Sequence, residues 1–261
     1  MDMERQTQRS AMRAWLALPL WCAAATAWAA PDWDIVGIRL GMTPAQARAA
    51  MQAYAPKAQI LETRASLNYS DKLKAYRTEP FLTTMEVRDK ARRNIPLKVW
   101  FSGPRGEARV IAVHREELNI PNPPSGSQFL ASLTQKYGEP TATNPDPAWE
   151  ESGKPRCLRT SWGTDYGSLF AVTRVVTGDF AKAAADIERR PAGAGMPADR
   201  TTCGAFMVYT GTKNNPARFF VGAMFDVGAI VATHRDREGW VKQLEADAVK
   251  KREAGGQVPR L

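Results

Sequence analysis

Two stretches of this chain, 82 positions apart, open in the same way. Thr43-Pro44-Ala45-Gln46 and Ser125-Gly126-Ser127-Gln128 each place a hydroxyl residue at a helix N-cap, with Gln three residues on. That spacing lets cap and Gln satisfy each other's free backbone donors, a capping box. Pro44 adds the fixed φ that suits a first helical position. Ala47, Ala50, Met51 and Tyr54 then recur at helical spacing until Pro56. Behind the second box come Phe129, Leu130, Leu133 and Tyr137, stopped by Gly138 and Pro140.

Each helix is followed by strand-like segments. After the first come Gln59 to Thr63, Phe81 to Arg88, Leu97 to Phe101 and Arg109 to Glu116, with Ser102 to Gly106 as a hairpin turn. After the second come Cys157 to Trp162, Ser168 to Val176, Thr202 to Thr210 and Arg218 to Phe225. A short helix is expected from Asp179 to Arg189, apolar at Phe180, Ala183, Ala184 and Ile187, then an exposed loop from Pro191 to Ala198. Asn144 to Pro147 reads as a surface crossover, and a charged helix, roughly Asp236 to Ala254, closes the chain. Runs of strands joined by short turns imply antiparallel sheets with helices on one face, an α+β layout. The expected organisation is two tandem helix-plus-sheet units, residues 30–120 and 121–235, and a C-terminal helix and tail over 236–261.

The first 29 residues have another character. Arg5, Arg9 and Arg13 precede a charge-free run, Ala14 to Ala25, and Ala27-Trp28-Ala29 offers small residues at the two positions a signal peptidase reads. The run is shorter than the ~20 apolar residues of a spanning helix and contains Pro19. Residues 1–29 therefore read as a cleaved export signal, leaving no transmembrane segment and a periplasmic or secreted protein. Cys22 follows the bulky Trp21, unlike a lipoprotein site, and falls inside the discarded segment. The net charge falls from +9 to +8 on cleavage, because three arginines leave with two acids. Cys157 and Cys203 remain, and in an oxidising compartment such a pair is expected to form a disulfide.

The Gly37 to Thr43 turn raises the question of a phosphate loop. A Walker loop needs a Lys for the β and γ phosphates and a Ser or Thr for magnesium; this turn has no Lys in that place and the wrong spacing. Three glycines and a parallel βαβ unit, the needs of a dinucleotide site, are also missing from the pattern. No dense basic run interleaved with aromatics points to nucleic acid. There is no HExxH or GxSxG, and no cofactor is expected. His114 lies on a strand and His234 in a charged cluster at Arg235-Asp236-Arg237.

Lys98 and Trp100 fall on the strand face opposite Leu97, Val99 and Phe101. Joined by Arg109 and Arg115 from the next strand, they form a candidate contact face, because aromatics and arginine are typical of binding surfaces. The competing expectation is that the second unit or the terminal helix covers this face.

The segment Gly37 to Met51, GIRLGMTPAQARAAM, resembles the helix start of small exported bacterial proteins of the BamE/SmpA kind, whose shape is shared with the β-lactamase-inhibitor-protein-like fold. Leu133 to Pro140, LTQKYGEP, is similar to the end of the same helix. The resemblance implies helix-then-antiparallel-sheet units that scaffold or bind without chemistry. This chain is about twice as long and lacks a lipid-attachment Cys. The expected function is thus a non-enzymatic exported module for a protein or anionic envelope polymer. The alternative is a cell-envelope hydrolase, which requires a cleft gathering His114 or His234 with acidic residues.

Overall fold

The computed structural model describes residues 31–88, 97–143, 146–155, 157, 180–189 and 196–256. The export signal, the strands expected over 158–176 and most of the loop expected over 191–198 lie outside these residues.

Both capping boxes form. Helix α1, Pro44–Tyr54, starts with Gln46 N–H donating to the Thr43 hydroxyl at 3.3 Å, while Thr43 N–H donates to the Gln46 side-chain oxygen at 2.9 Å. Helix α2, Gly126–Tyr137, repeats the exchange between Ser125 and Gln128 at 3.2 and 2.9 Å. It stops at Gly138, whose φ of 80° suits a residue without a side chain. Gly126 is required by its surroundings, since a Cβ there would lie 2.0 Å from the Thr212 carbonyl oxygen. The turn before α1 is structural: Ile35 and Ile38 exchange backbone hydrogen bonds at 3.0 Å. Gly41 N–H and the Met42 carbonyl bond to Val110, each at 2.8 Å.

The strands are β1 Gln59–Ala65, β2 Asn68–Ser70, β3 Ala75–Arg77, β4 Phe81–Arg88, β5 Leu97–Phe101, β6 Val110–Leu118, β7 Ala148–Glu150, β8 Ala205–Tyr209 and β9 Phe219–Asp226. Among the described residues, seven of them make one sheet in the order β1-β4-β5-β6-β9-β8-β7, with every neighbouring pair antiparallel. This is the α+β class expected.

The sheet itself differs from expectation, since the strands of the two halves join through β6 and β9 instead of forming a sheet each. Both central strands carry consecutive apolar residues, Val110-Ile111-Ala112-Val113 and Ala223-Met224-Phe225, all buried. Such runs cannot serve at an edge with one face in water; they require cover on both faces. Among the described strands, the chain enters each half at an outer strand and finishes at the centre.

Helices lie on both faces, which corrects the one-sided arrangement. On one face Met51 of α1 and Leu133 of α2 pack with Met85, Val99, Met207 and Met224. On the other, α3, Phe180–Arg189, and α4, Val227–Ala254, contribute Ile187, Ile230 and Val231 against Trp100, Phe206 and Phe225. Each fully buried large side chain contributes roughly 2 kcal/mol. The closing helix α4 begins nine residues before the expected Asp236, immediately after β9, capped by Asp226 accepting from Ala229 N–H at 2.8 Å.

Cys157 and Cys203 form a disulfide, their Cα atoms 5.7 Å apart. Cys203 follows a single 3-10 turn, Arg200–Thr202, just before β8. Both sulfurs join the core beneath α3 and α4.

Candidate functional site

Register decides what the expected contact face becomes. Lys98 pairs with His114, and Trp100 with Ala112, so these four residues share one face. Arg115 pairs with Leu97 and points to the opposite side. There its guanidinium lies 5.3 Å from the Tyr54 ring and 4.9 Å from the Phe220 ring, and it bonds Glu117 at 2.8 Å. Arg109 sits at the end of β6, donating to the Gly41 carbonyl at 3.2 Å and to Glu107. Trp100 is only 2% exposed, packed with Val231 and Ile230 of α4. Lys98, Trp100, Arg109 and Arg115, the expected contact face, thus separate, and Trp100 is core.

Lys98 remains in a charged row running Glu86, Lys98, His114 across β4, β5 and β6. Glu86 lies 3.3 Å from Arg88 and 3.9 Å from Lys98, whose ammonium stands 5.2 Å from the Trp100 ring. Burial, then the Lys98 charge, pushes the His114 imidazole down to about 4. Among the described residues, no group of three or more His, Cys, Asp or Glu is placed to hold a metal.

Another open surface lies in a stretch where the sequence pattern marks no element. After β1 the chain leaves the sheet and forms the small hairpin β2–β3. Tyr69 and Tyr76 stack across it with ring centroids 5.3 Å apart. Asp71 organises the turn, its carboxylate accepting from Leu73 N–H at 2.9 Å, Lys74 N–H at 2.6 Å and the Tyr76 hydroxyl at 3.0 Å. The two backbone donors, then Tyr76, hold that carboxyl below its usual range. Lys72 takes a φ of 75°, and Arg252 of α4 donates to the Asp71 carbonyl. These contacts hold Leu73 out at the apex, 83% exposed between Lys72 and Lys74. A Tyr on either side of Ser70-Asp71-Lys72 was the available signal, but each strand is only three residues long.

Between the hairpin and α4 runs a trough. Its first part, about 480 Å³, is lined by Leu67, His234, Arg237, Glu238, Val241, Lys242 and Glu245. A second part of similar volume continues from Glu245 along Ala246, Val249, Lys250 and Glu253, facing Ser70 and Lys72. The lining positions recur every three or four residues, so one stripe of α4 forms the wall. From His234 to Glu253 that stripe is about 28 Å long at 1.5 Å per residue. Leu67, Val241 and Val249 supply apolar surface, while acidic and basic residues alternate beside them. His234 Nε2 stands 3.4 Å from Glu238, an i,i+4 pair on the helix. His114 and His234 lie on different elements, a strand and α4.

The β2–β3 hairpin and the stretch of α4 facing it form an arm on an α+β protein in which one antiparallel sheet is layered between helices and a surface trough opens beside the hairpin. No protein-family model, curated protein or solved structure matches the chain.

Proposed function

We propose that the protein is an exported binding module that works without chemistry, holding a segment of a protein partner along the trough between α4 and the β2–β3 hairpin. The observation that carries this reading is the trough itself: long and open, lined by the apolar Leu67, Val241 and Val249 with charged residues between them, beside a hairpin that Arg252 braces. An elongated groove with apolar anchors suits a peptide segment or helix. The alternation of Lys242 with Glu238 and Glu245 disfavours a polyanion here, since like charges would face it at each turn. The anionic envelope component also considered is better matched at the apex, where Lys72, Leu73 and Lys74 combine charge with an exposed apolar side chain. Export rests on the leader sequence and is supported by the disulfide.

One observation favours the second reading, a cell-envelope hydrolase: His234 and Glu238 meet inside the trough, as a base and its orienting carboxylate would. Against it, none of the residues lining that part bears a hydroxyl or thiol, and i,i+4 pairing of His with Glu is common on helix surfaces.

The test is photo-crosslinking in the living cell, with a reactive residue placed singly at Lys242, Val249 or, as a control on the other side of the sheet, Glu139. Discrete adducts from the two trough positions and none from position 139 support the reading. Adducts from all three alike, or none from the trough, reject it. Retained adducts in His234→Ala and Glu238→Gln, with no change in envelope polymer cleavage, separate binding from hydrolysis.

A further inference from the structure

Helix α4 carries three arginines at Arg235, Arg237 and Arg252, and their situations differ. Arg235 is held by Glu188 and by Asp199, the latter at 2.8 Å. Arg252 bonds the Asp71 carbonyl and Glu253. Among the described residues, Arg237 has neither kind of partner. Its guanidinium rests over the Phe81 ring at 5.3 Å, and its buried Nε–H meets no acceptor among the described residues. Asp236, next to it in sequence, is turned away to Arg105 at 3.5 Å. Gly103 closes in on the sheet side, where an added Cβ would stand 3.6 Å from the Arg237 Nε. This arginine also lines the trough, one helical turn before Val241 and close in the wall to Leu67.

A guanidinium cannot shed its charge at any ordinary pH, so a partly buried one without an anion is held at a cost. Burial indeed pulls the Arg237 pKa below its ordinary value, with Asp236 opposing weakly. The Phe81 ring contact uses none of the Nη donors at the tip of the guanidinium, and these are the ones a ligand can meet, the Nε–H being buried. The other charged residues of this stretch set the size of that ligand. Glu238 and Glu245 flank Lys242 along this part of the wall, so a dense anion would meet two carboxylates while a single charged group beside an apolar one is accommodated.

We infer that Arg237 is the anion-recognition residue of the trough and that the captured segment is a peptide presenting one carboxylate to it, with an adjacent apolar side chain against Leu67 and Val241. This rests on the binding reading above and specifies its partner's chemistry. A free carboxyl terminus and an Asp or Glu side chain supply the same group.

A random dodecapeptide display library, selected on the full chain and on Arg237→Met, tests it. Methionine keeps an apolar stem over Phe81 and removes the charge; circular dichroism and the melting temperature confirm that the variant folds. The expected result is enrichment of peptides pairing an acidic residue with a neighbouring apolar one, lost from the Arg237→Met selection. Resynthesised peptides should bind the native chain at least tenfold more tightly than their Gln or C-terminally amidated counterparts, whichever removes the carboxylate. Trough-binding peptides without acidic enrichment, or acidic enrichment that survives Arg237→Met, overturn the carboxylate assignment and leave the binding reading standing. Failure to select any peptide that a trough variant, Val241→Glu, abolishes sinks both.

Discussion

His114 shows how one side chain couples this sheet to pH. It shares its face with Lys98 directly across and Glu116 two residues on, with Glu86 beyond Lys98. Its folded pKa is about 4 against an ordinary 6.5, so the folded protein keeps the imidazole neutral where the unfolded chain takes up a proton. The contribution to stability is therefore whole above pH 6.5 and is lost as pH falls towards 4, to a total of about 3 kcal/mol at 1.36 kcal/mol per unit. Asp146 and Asp226, whose carboxyls burial pushes up, act in the opposite direction. Glu62, Asp71 and Asp199, held low mainly by hydrogen bonds, lose their contribution only at more acid pH. Urea unfolding at pH 7 and pH 4.5 should thus show a larger loss for the native chain than for His114→Gln. Parallel losses would show that His114 is not desolvated in the fold. The burial of His114 could not be read from its neighbours in sequence, because it depends on the partner strand's register. The caps Thr43 and Ser125 could, because their chemistry lies within four residues.

At the scale of elements, legibility follows the range of the interactions that define each one. Helices α1 and α2 and strands β4, β5 and β6 sit within a residue or two of their expected positions, since periodicity and caps are local. Helix α4 begins ahead of the expected Asp236, in an apolar run, Val227-Gly228-Ala229-Ile230-Val231, that has no polar face. Its first turns are buried, and Gly228 is needed where a Cβ would lie 2.4 Å from the Thr201 carbonyl. Strands β2 and β3 are not legible in the pattern, because β2 is held by packing on α4 and β3 by pairing with β2. The disulfide works at this scale too. It closes a separation of 46 residues and ties the segment before α3 to the start of β8. In the chain-entropy model that constraint is worth about 4 kcal/mol. Replacing both cysteines by serine should lower the unfolding free energy by up to that amount, with a lower midpoint and a steeper slope, because the denatured chain without the cross-link exposes more surface. Two freely reactive thiols in the untreated, oxidised protein would contradict the bond.

Across the whole molecule, the sequence pointed to α+β architecture and to two like blocks, but not to the way they meet. Whether two meanders stand apart or share a sheet depends on which strands tolerate an edge. The doubly apolar β6 and β9 answer that question only in retrospect. Joining them places α1 and α2 on one face and leaves the other to α3 and α4. The last turns of α4 then pass the covered core and brace the hairpin. This arrangement takes Trp100 of the expected contact face into the core and disperses Lys98, Arg109 and Arg115, while a separate open surface lies at the arm. Trp100 illustrates the exchange, since an aromatic at a strand centre reads equally well as an anchor for a partner or for a helix of the same chain.

The central claim, that this arm is the working surface, is tested most directly by hydrogen exchange on the protein alone and on the protein bound to an envelope fraction. The account predicts added protection confined to residues 67–77 and 234–253, with the exchange of α1 and α2 unchanged. Protection centred on α1 and α2, or none at the arm, would contradict it.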